Sequence, residues 1–211
     1  MARHLLSLSE SERAPTASEC VDLNEILLQN RRLLEASLPS EAVLSYELAP
    51  NLPPACADNW DLQGICVSLL MNAGEALEGG TGIVTVFTDA EETSEEISSR
   101  ESPTEASWDD RDDPRPLRYV WTEVRDDGHG IPESDLDKVQ EPFFTTRPER
   151  RGIGLFYVRT VTRAFRGKVR IHSSAEGTRV RVLIPQANLR QRSDPALRAH
   201  QQYHPQPTPT G

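Results

Sequence analysis

Asp126-Asp127-Gly128-His129-Gly130-Ile131 and, some twenty residues on, Gly152-Ile153-Gly154-Leu155 are the residues of this chain best suited to chemistry. The first places a carboxylate at the mouth of a glycine turn. The second places a glycine pair at the start of an apolar, helix-forming run. Glycine lets the backbone come close to a ligand, successive N–H groups in such turns form nests for anions, and a helix N-terminus adds its partial positive charge. An ionised Asp only accepts hydrogen bonds, so Asp126 can receive a donor from a ligand. Asn72, upstream, carries an amide oxygen that could serve a hard cation. Together these residues can hold a purine and its phosphates.

The elements that must position them can be read from the pattern around them. Asp22 is a capping residue, and Leu23, Ile26, Leu27, Leu33 and Leu34 predict a helix running to about residue 37, ahead of Pro39. Residues 43–48 alternate as a strand, and 49–57 read as a Pro-rich turn. The longest helical pattern spans 60–77, with Leu62, Ile65, Cys66, Leu69, Leu70, Ala73 and Leu77 as its apolar face and Gly79-Gly80 as its stop. Strand patterns follow at 82–88 and 117–124, the second running into the first glycine turn. A helix at 155–165 and a hairpin of 168–173 with 178–184 complete the order. Helix, strand, helix, strand, strand, glycine turn, helix and hairpin predict a two-layer α/β sandwich, a mixed and mostly antiparallel sheet with helices on one face. The glycine turn lacks the spacing of a Rossmann fingerprint.

Composition bounds the function. The 211 residues carry 33 acidic and 23 basic side chains, a net charge of −10, which argues against nucleic acid as the main partner. The excess acid is concentrated in residues 89–116, where eleven acidic residues face three basic ones. That stretch reads as a disordered acidic insertion. Residues 1–18 read as a short helical remnant and linker, residues 19–187 as the folded domain, and the tail from 188 to 211 as disordered. Cys20, Cys56 and Cys66, an odd number without metal-ligand spacing, read as reduced thiols of a cytoplasmic protein. No apolar run approaches the ~18–20 residues that cross a bilayer, and no signal-peptide pattern opens the chain.

Four stretches carry a resemblance to a known family: Leu69-Leu70-Met71-Asn72-Ala73-Gly74-Glu75-Ala76, residues 124–132 around the first glycine turn, Glu141-Pro142-Phe143-Phe144-Thr145-Thr146, and Gly152-Ile153-Gly154-Leu155. In this order they resemble the ATP-binding catalytic domain of sensor histidine kinases, within the superfamily that includes gyrase, heat-shock chaperone and mismatch-repair ATPases. The resemblance covers about residues 20–186 and implies the Bergerat-type fold. It implies Mg²⁺ on Asn72, with ATP held by Asn72, Glu75, Asp126, Gly128, Gly130, Ile131, Phe144, Thr145, Thr146, Arg147, Gly152, Gly154 and Leu155. It implies a transferase of two-component signal transduction whose partners are a histidine-bearing dimerisation domain and a response regulator.

The chain departs from its relatives in three ways. Ser68 stands where they often have a further Asn and where hydrolysing cousins have a general-base glutamate, so efficient ATP hydrolysis is not expected. Arg150-Arg151 replaces additional glycines. No helical pair with an acceptor histidine is evident, and His4, His129, His172, His200 and His204 do not supply that context, so the acceptor is expected in trans. Two other readings are open from sequence: a serine kinase of the anti-sigma-factor type, and a non-catalytic nucleotide-binding or interaction module.

Overall fold

The computed structural model describes residues 20–77, 80–93, 117–146 and 151–187. The described elements are, in chain order, β1 (Cys20–Val21), α1 (Leu23–Gln29), α2 (Arg31–Glu35), β2 (Ala42–Leu48), β3 (Ala55–Cys56), α3 (Asn59–Ala76), β4 (Gly82–Thr93), β5 (Leu117–Asp126), α4 (Glu133–Leu136), α5 (Gly154–Ala164), β6 (Lys168–Ser174) and β7 (Gly177–Pro185). Five strands form one sheet in the order β2-β4-β5-β7-β6, and β1 pairs with β3 in a separate small ladder. Only β2 and β4 run parallel; the other pairs of the large sheet are antiparallel. The expected two-layer α/β sandwich with a mixed, mostly antiparallel sheet is therefore the observed fold.

The core lies between the sheet and α3 and follows from two periodicities. On α3, Leu62, Ile65, Cys66, Leu69, Leu70 and Ala73 are buried at helical spacing. Opposite them stand Val84 and Val86, Val120, Thr122 and Val124, and Val180, Val182 and Ile184, every second residue of three adjacent strands. Asp58 starts α3 by accepting hydrogen bonds from the backbone N–H groups of Trp60 and Asp61 at 2.8 and 3.2 Å. Burial pushes the Cys66 thiol up to about 12, so it stays protonated within this core.

Three expectations from sequence need correction, the first being the turn expected over 49–57, which contains the short strand β3, held by remote pairing with β1. The helix expected to run to residue 37 is interrupted at Asn30, whose side-chain amide and backbone N–H both bond the Ile26 carbonyl. An Asn that captures a carbonyl of the preceding turn ends that helix, and α2 restarts beyond it. Asp89–Thr93, assigned to the acidic insertion, continue β4 in register with Trp121–Leu117. Local composition hid this because the partners are remote: Glu91 accepts from Arg170 at 2.9 Å and from Arg181 at 3.4 Å. Residues 94–116, the remainder of that segment, lie outside the described residues, as do 1–19 and 188–211.

These ion pairs belong to the sheet face that turns away from α3. There Glu123, only 5 % exposed, accepts from Arg125 at 3.1 Å and Arg181 at 2.9 Å. Arg125 stacks on Phe87 and Arg181 on Trp121, at 4.6 and 3.8 Å from the ring centroids. Long amphipathic side chains thus cover the face with their stems and planar heads, with no second helical layer among the described residues.

A part-buried polar knot fastens α1 to the sheet. Thr88 Oγ1 donates to Asn24 Oδ1 at 2.7 Å and accepts from Ala49 N–H at 3.2 Å, while Asn24 Nδ2 donates to the Ala49 carbonyl at 2.9 Å. Thr88→Val preserves shape and removes the donor to Asn24 Oδ1, while Ala49 N–H keeps its bond to the Thr88 carbonyl at 3.2 Å. It should lower unfolding free energy by about 1–3 kcal/mol in urea titrations, with an unchanged slope.

Candidate functional site

The first glycine turn leaves the end of β5 and docks on the C-terminal end of α3. His129 N–H donates to the Ala76 carbonyl at 3.1 Å, one of the helix-end acceptors that α3 itself cannot satisfy. The approach is close enough that a Cβ at Gly128 would lie 2.4 Å from the Ala76 oxygen. At Gly130 the backbone has φ +73°, and a Cβ there would collide with the Ser174 carbonyl. Ser173 Oγ completes the turn by accepting from Ile131 N–H at 2.7 Å. Asp127, which sequence left without a role, accepts from Ile83 N–H at 2.8 Å and ties the turn to the start of β4.

Asp126 is 8 % exposed. Its Oδ1 accepts from Gly128 N–H at 3.0 Å and Thr178 N–H at 3.2 Å, while Oδ2 has no bond from any described residue. One oxygen therefore fixes the carboxylate and the other can receive a donor. Burial raises the Asp126 carboxyl above its ordinary 3.8, and the neighbouring Asp127 charge adds to this. The two backbone N–H groups and His129 pull the other way. Thr178 was not singled out from sequence, because a backbone donor carries no side-chain signature.

Asn72 lies on α3 one turn before Ala76, so it shares the side of the helix that meets the turn. Its Nδ2 is buried with no hydrogen-bond partner among the described residues. The second glycine motif sits against it: a Cβ at Gly154 would be 2.9 Å from Asn72 Oδ1. Gly154 is the first residue of α5, whose N-terminus has no side-chain cap, in contrast to α1 and α3, which are capped by Asp22 and Asp58. An uncapped helix N-terminus beside an unsatisfied amide is an arrangement for an anion and its counter-ion.

The other candidates are placed as follows. Ile131 and Leu155 are half-buried at the two motifs, and Glu75, also half-buried, lines a cavity of about 420 Å³ with Leu38, Pro39 and Met71. Gly152 accepts from Phe143 N–H at 3.0 Å, joining the second motif to the segment before it. Phe143 itself is 76 % exposed, so it does not anchor that segment in the core. Phe144 is half-buried, Thr145 and Thr146 are exposed, and Arg147 lies outside the described residues. A larger open cavity of about 520 Å³ beside Gly130 is lined by His129, Pro132, Leu136 and Ala175, and contains neither Asn72, Asp126 nor Gly154.

With this geometry in place, residues 57–188 match the family model described as histidine kinase-, DNA gyrase B-, and HSP90-like ATPase. The chain belongs to this family. Among relatives of this ATPase domain, the sensor kinase CckA of Brucella abortus is 30% identical over 199 residues, 93% of this chain and 20% of its own length. The sensory histidine kinase/phosphatase NtrB of Rhodobacter capsulatus is 27% identical over 174 residues, 82% of this chain and 45% of its own. The chain thus spans less than half the length of these curated relatives. The mycobacterial sensor histidine kinase MprB has a TM-score of 0.58 at 20% identity, covering 82% of this chain and 99% of that one. The last likeness shows the fold. No helix among the described residues is long and apolar enough to cross a membrane.

The carboxylate of Asp126 has a cost for folding that its neighbours only partly offset. Because its folded value is raised, the native state favours the protonated form. Stability from this group is greatest below the ordinary 3.8 and is lost as pH rises through the folded value. Asp126→Asn keeps the Oδ1 acceptor and removes the charge. Thermal melts should show the variant at least as stable as the parent at pH 7, with the difference disappearing below about pH 4.

Proposed function

We propose that this chain is the ATP-binding catalytic module of a two-component sensor histidine kinase, acting in the cytoplasm through residues 19–187. The observation that carries the reading is the unpartnered Asn72 amide facing Gly154 at the uncapped start of α5. A site complete in itself would leave no buried amide unsatisfied. Magnesium ATP fits it: Asn72 Oδ1 would hold the cation, Asn72 Nδ2 would meet a phosphate oxygen, and the N–H groups of Gly154 and Leu155 would meet phosphate charge.

Within this reading Asp126 accepts the adenine amino group through its free oxygen, Gly128, Gly130 and Ile131 form the wall of the base and sugar, and Glu75 joins Asn72 as an ATP-binding residue of α3. Phe144, Thr145, Thr146, Arg147 and Gly152 belong to the segment that meets the phosphates. Bound ATP supplies the phosphoryl group; the protein supplies position and charge, which are the main requirements of such a transfer. The acceptor is a histidine on a separate dimerisation domain, and the phosphoryl group passes on to a response regulator. Ser68 has no carboxylate with which to activate water, so ATP is kept for transfer rather than spent on hydrolysis.

Calorimetric titration should show ATP binding that requires Mg²⁺. Asn72→Ala should weaken it at least tenfold, about 1.4 kcal/mol, and chelating the metal should have a comparable effect on the parent. With labelled ATP and a supplied dimerisation domain, phosphate should appear on that domain in an acid-labile, base-stable form. An acid-stable phosphoserine, or no Mg²⁺-dependent binding, would refute the assignment.

A further inference from the structure

The short ladder of β1 and β3 brings together two cysteines that are 36 positions apart in sequence, with Cys20 opposite Cys56 and Val21 opposite Ala55. Side chains alternate across a strand, and directly opposed residues share a face. Ala55 is fully buried and Val21 packs against the core, so the cysteine pair occupies the opposite face. Both thiols are free and half-buried. Opposed residues of an antiparallel pair have Cα atoms about 4.5 or 5.5 Å apart according to pair type, and either separation falls within the roughly 4.4–6.8 Å that a disulfide spans.

The two strands are anchored unequally. β3 is held to the body of the fold, since Ala55 bridges to Gln186 and Ala187 N–H donates to the Pro54 carbonyl at 2.8 Å. Among the described residues β1 has its only ladder with β3, over two residue pairs. A covalent link here would fasten the strand through which the preceding residues join the domain.

We propose that Cys20 and Cys56 are a redox-reversible modification site, forming a cross-strand disulfide by exchange with a small-molecule disulfide such as oxidised glutathione. One cysteine thiolate attacks the oxidant's S–S bond and releases one small thiol, leaving a mixed disulfide. The facing cysteine then attacks the protein sulfur of that adduct and expels the second small thiol. The two cysteine protons end on the two released thiols, the cysteines are oxidised by two electrons, and the small-molecule disulfide is reduced by the same two. Cys66 takes no part: it is buried in the core, and its raised thiol value keeps it from forming the nucleophile.

This site is independent of the nucleotide reading, and its test needs no ATP. The full chain is incubated with oxidised glutathione and then analysed by intact mass and by non-reducing peptide mapping. The expected product has lost two hydrogens, carries a Cys20–Cys56 link and regains both thiols in dithiothreitol. Its thermal midpoint should rise by roughly 5–10 °C, as the enclosed loop predicts, and amide exchange should slow across residues 20–23. Cys66→Ser should form the same link, and Cys20→Ser should form none. A stable glutathione adduct on Cys20 or Cys56, a link through Cys66, or a bridge that leaves both midpoint and exchange unchanged would overturn the proposal.

Discussion

The contact on which the site depends is the docking of the glycine turn onto the end of α3. His129 N–H caps the Ala76 carbonyl, and only a residue without a Cβ at position 128 allows that approach. This one contact sets three groups in relation to each other. Asp126 is held at the end of β5, Asn72 sits one turn back along α3, and α3 in turn packs against α5, whose first residue is Gly154. The core supplies the rigidity: α3 is fixed by its buried face against the β4, β5 and β7 valines, so its C-terminal end cannot move independently of the sheet.

The site is built from groups that are locally unsatisfied. Asp126 has one committed oxygen and one free one, and burial keeps its charge unfavourable. Among the described residues Asn72 Nδ2 has no partner and the N-terminus of α5 has no side-chain cap. Each of these would be a defect in a purely structural element, and the proposed function reads them together as complementary to a ligand. Asp22 and Asp58 cap α1 and α3, and Asn24, Thr88 and Ala49 close a polar knot, while Tyr46 Oη, Thr122 Oγ1, Arg125 Nε and Thr162 Oγ1 are other buried atoms without a hydrogen-bond partner among the described residues.

Much of this was legible in the sequence, and the omissions have physical causes. The apolar face of α3 and the order of strands follow from side-chain periodicity, which is a local property. Asp126, Asn72 and the glycines could be found because their chemistry is carried by residue type. Thr178, by contrast, contributes a backbone N–H, and Ser173 and Asp127 act through tertiary contacts that no short window contains. The end of β4 looked like part of an acidic linker because the arginines that neutralise Glu91 lie on β6 and β7. Two-residue strands have no periodicity, so the pairing of Cys20 with Cys56 was hidden behind an odd count of cysteines. Asn30 is ordinary within a helix pattern until its side chain is seen to take the Ile26 carbonyl.

The central claim is that the free oxygen of Asp126 selects adenine at this turn. Its most direct test is a calorimetric comparison of ADP and GDP on the parent chain and on Asp126→Asn. The account requires the parent to bind ADP and discriminate against GDP at least about tenfold, since guanine presents a carbonyl oxygen to the carboxylate in place of an amino donor. In Asp126→Asn that preference should collapse while the fold is retained. Equal affinity of the parent for the two nucleotides, or undiminished ADP binding and selectivity in the variant, would contradict it.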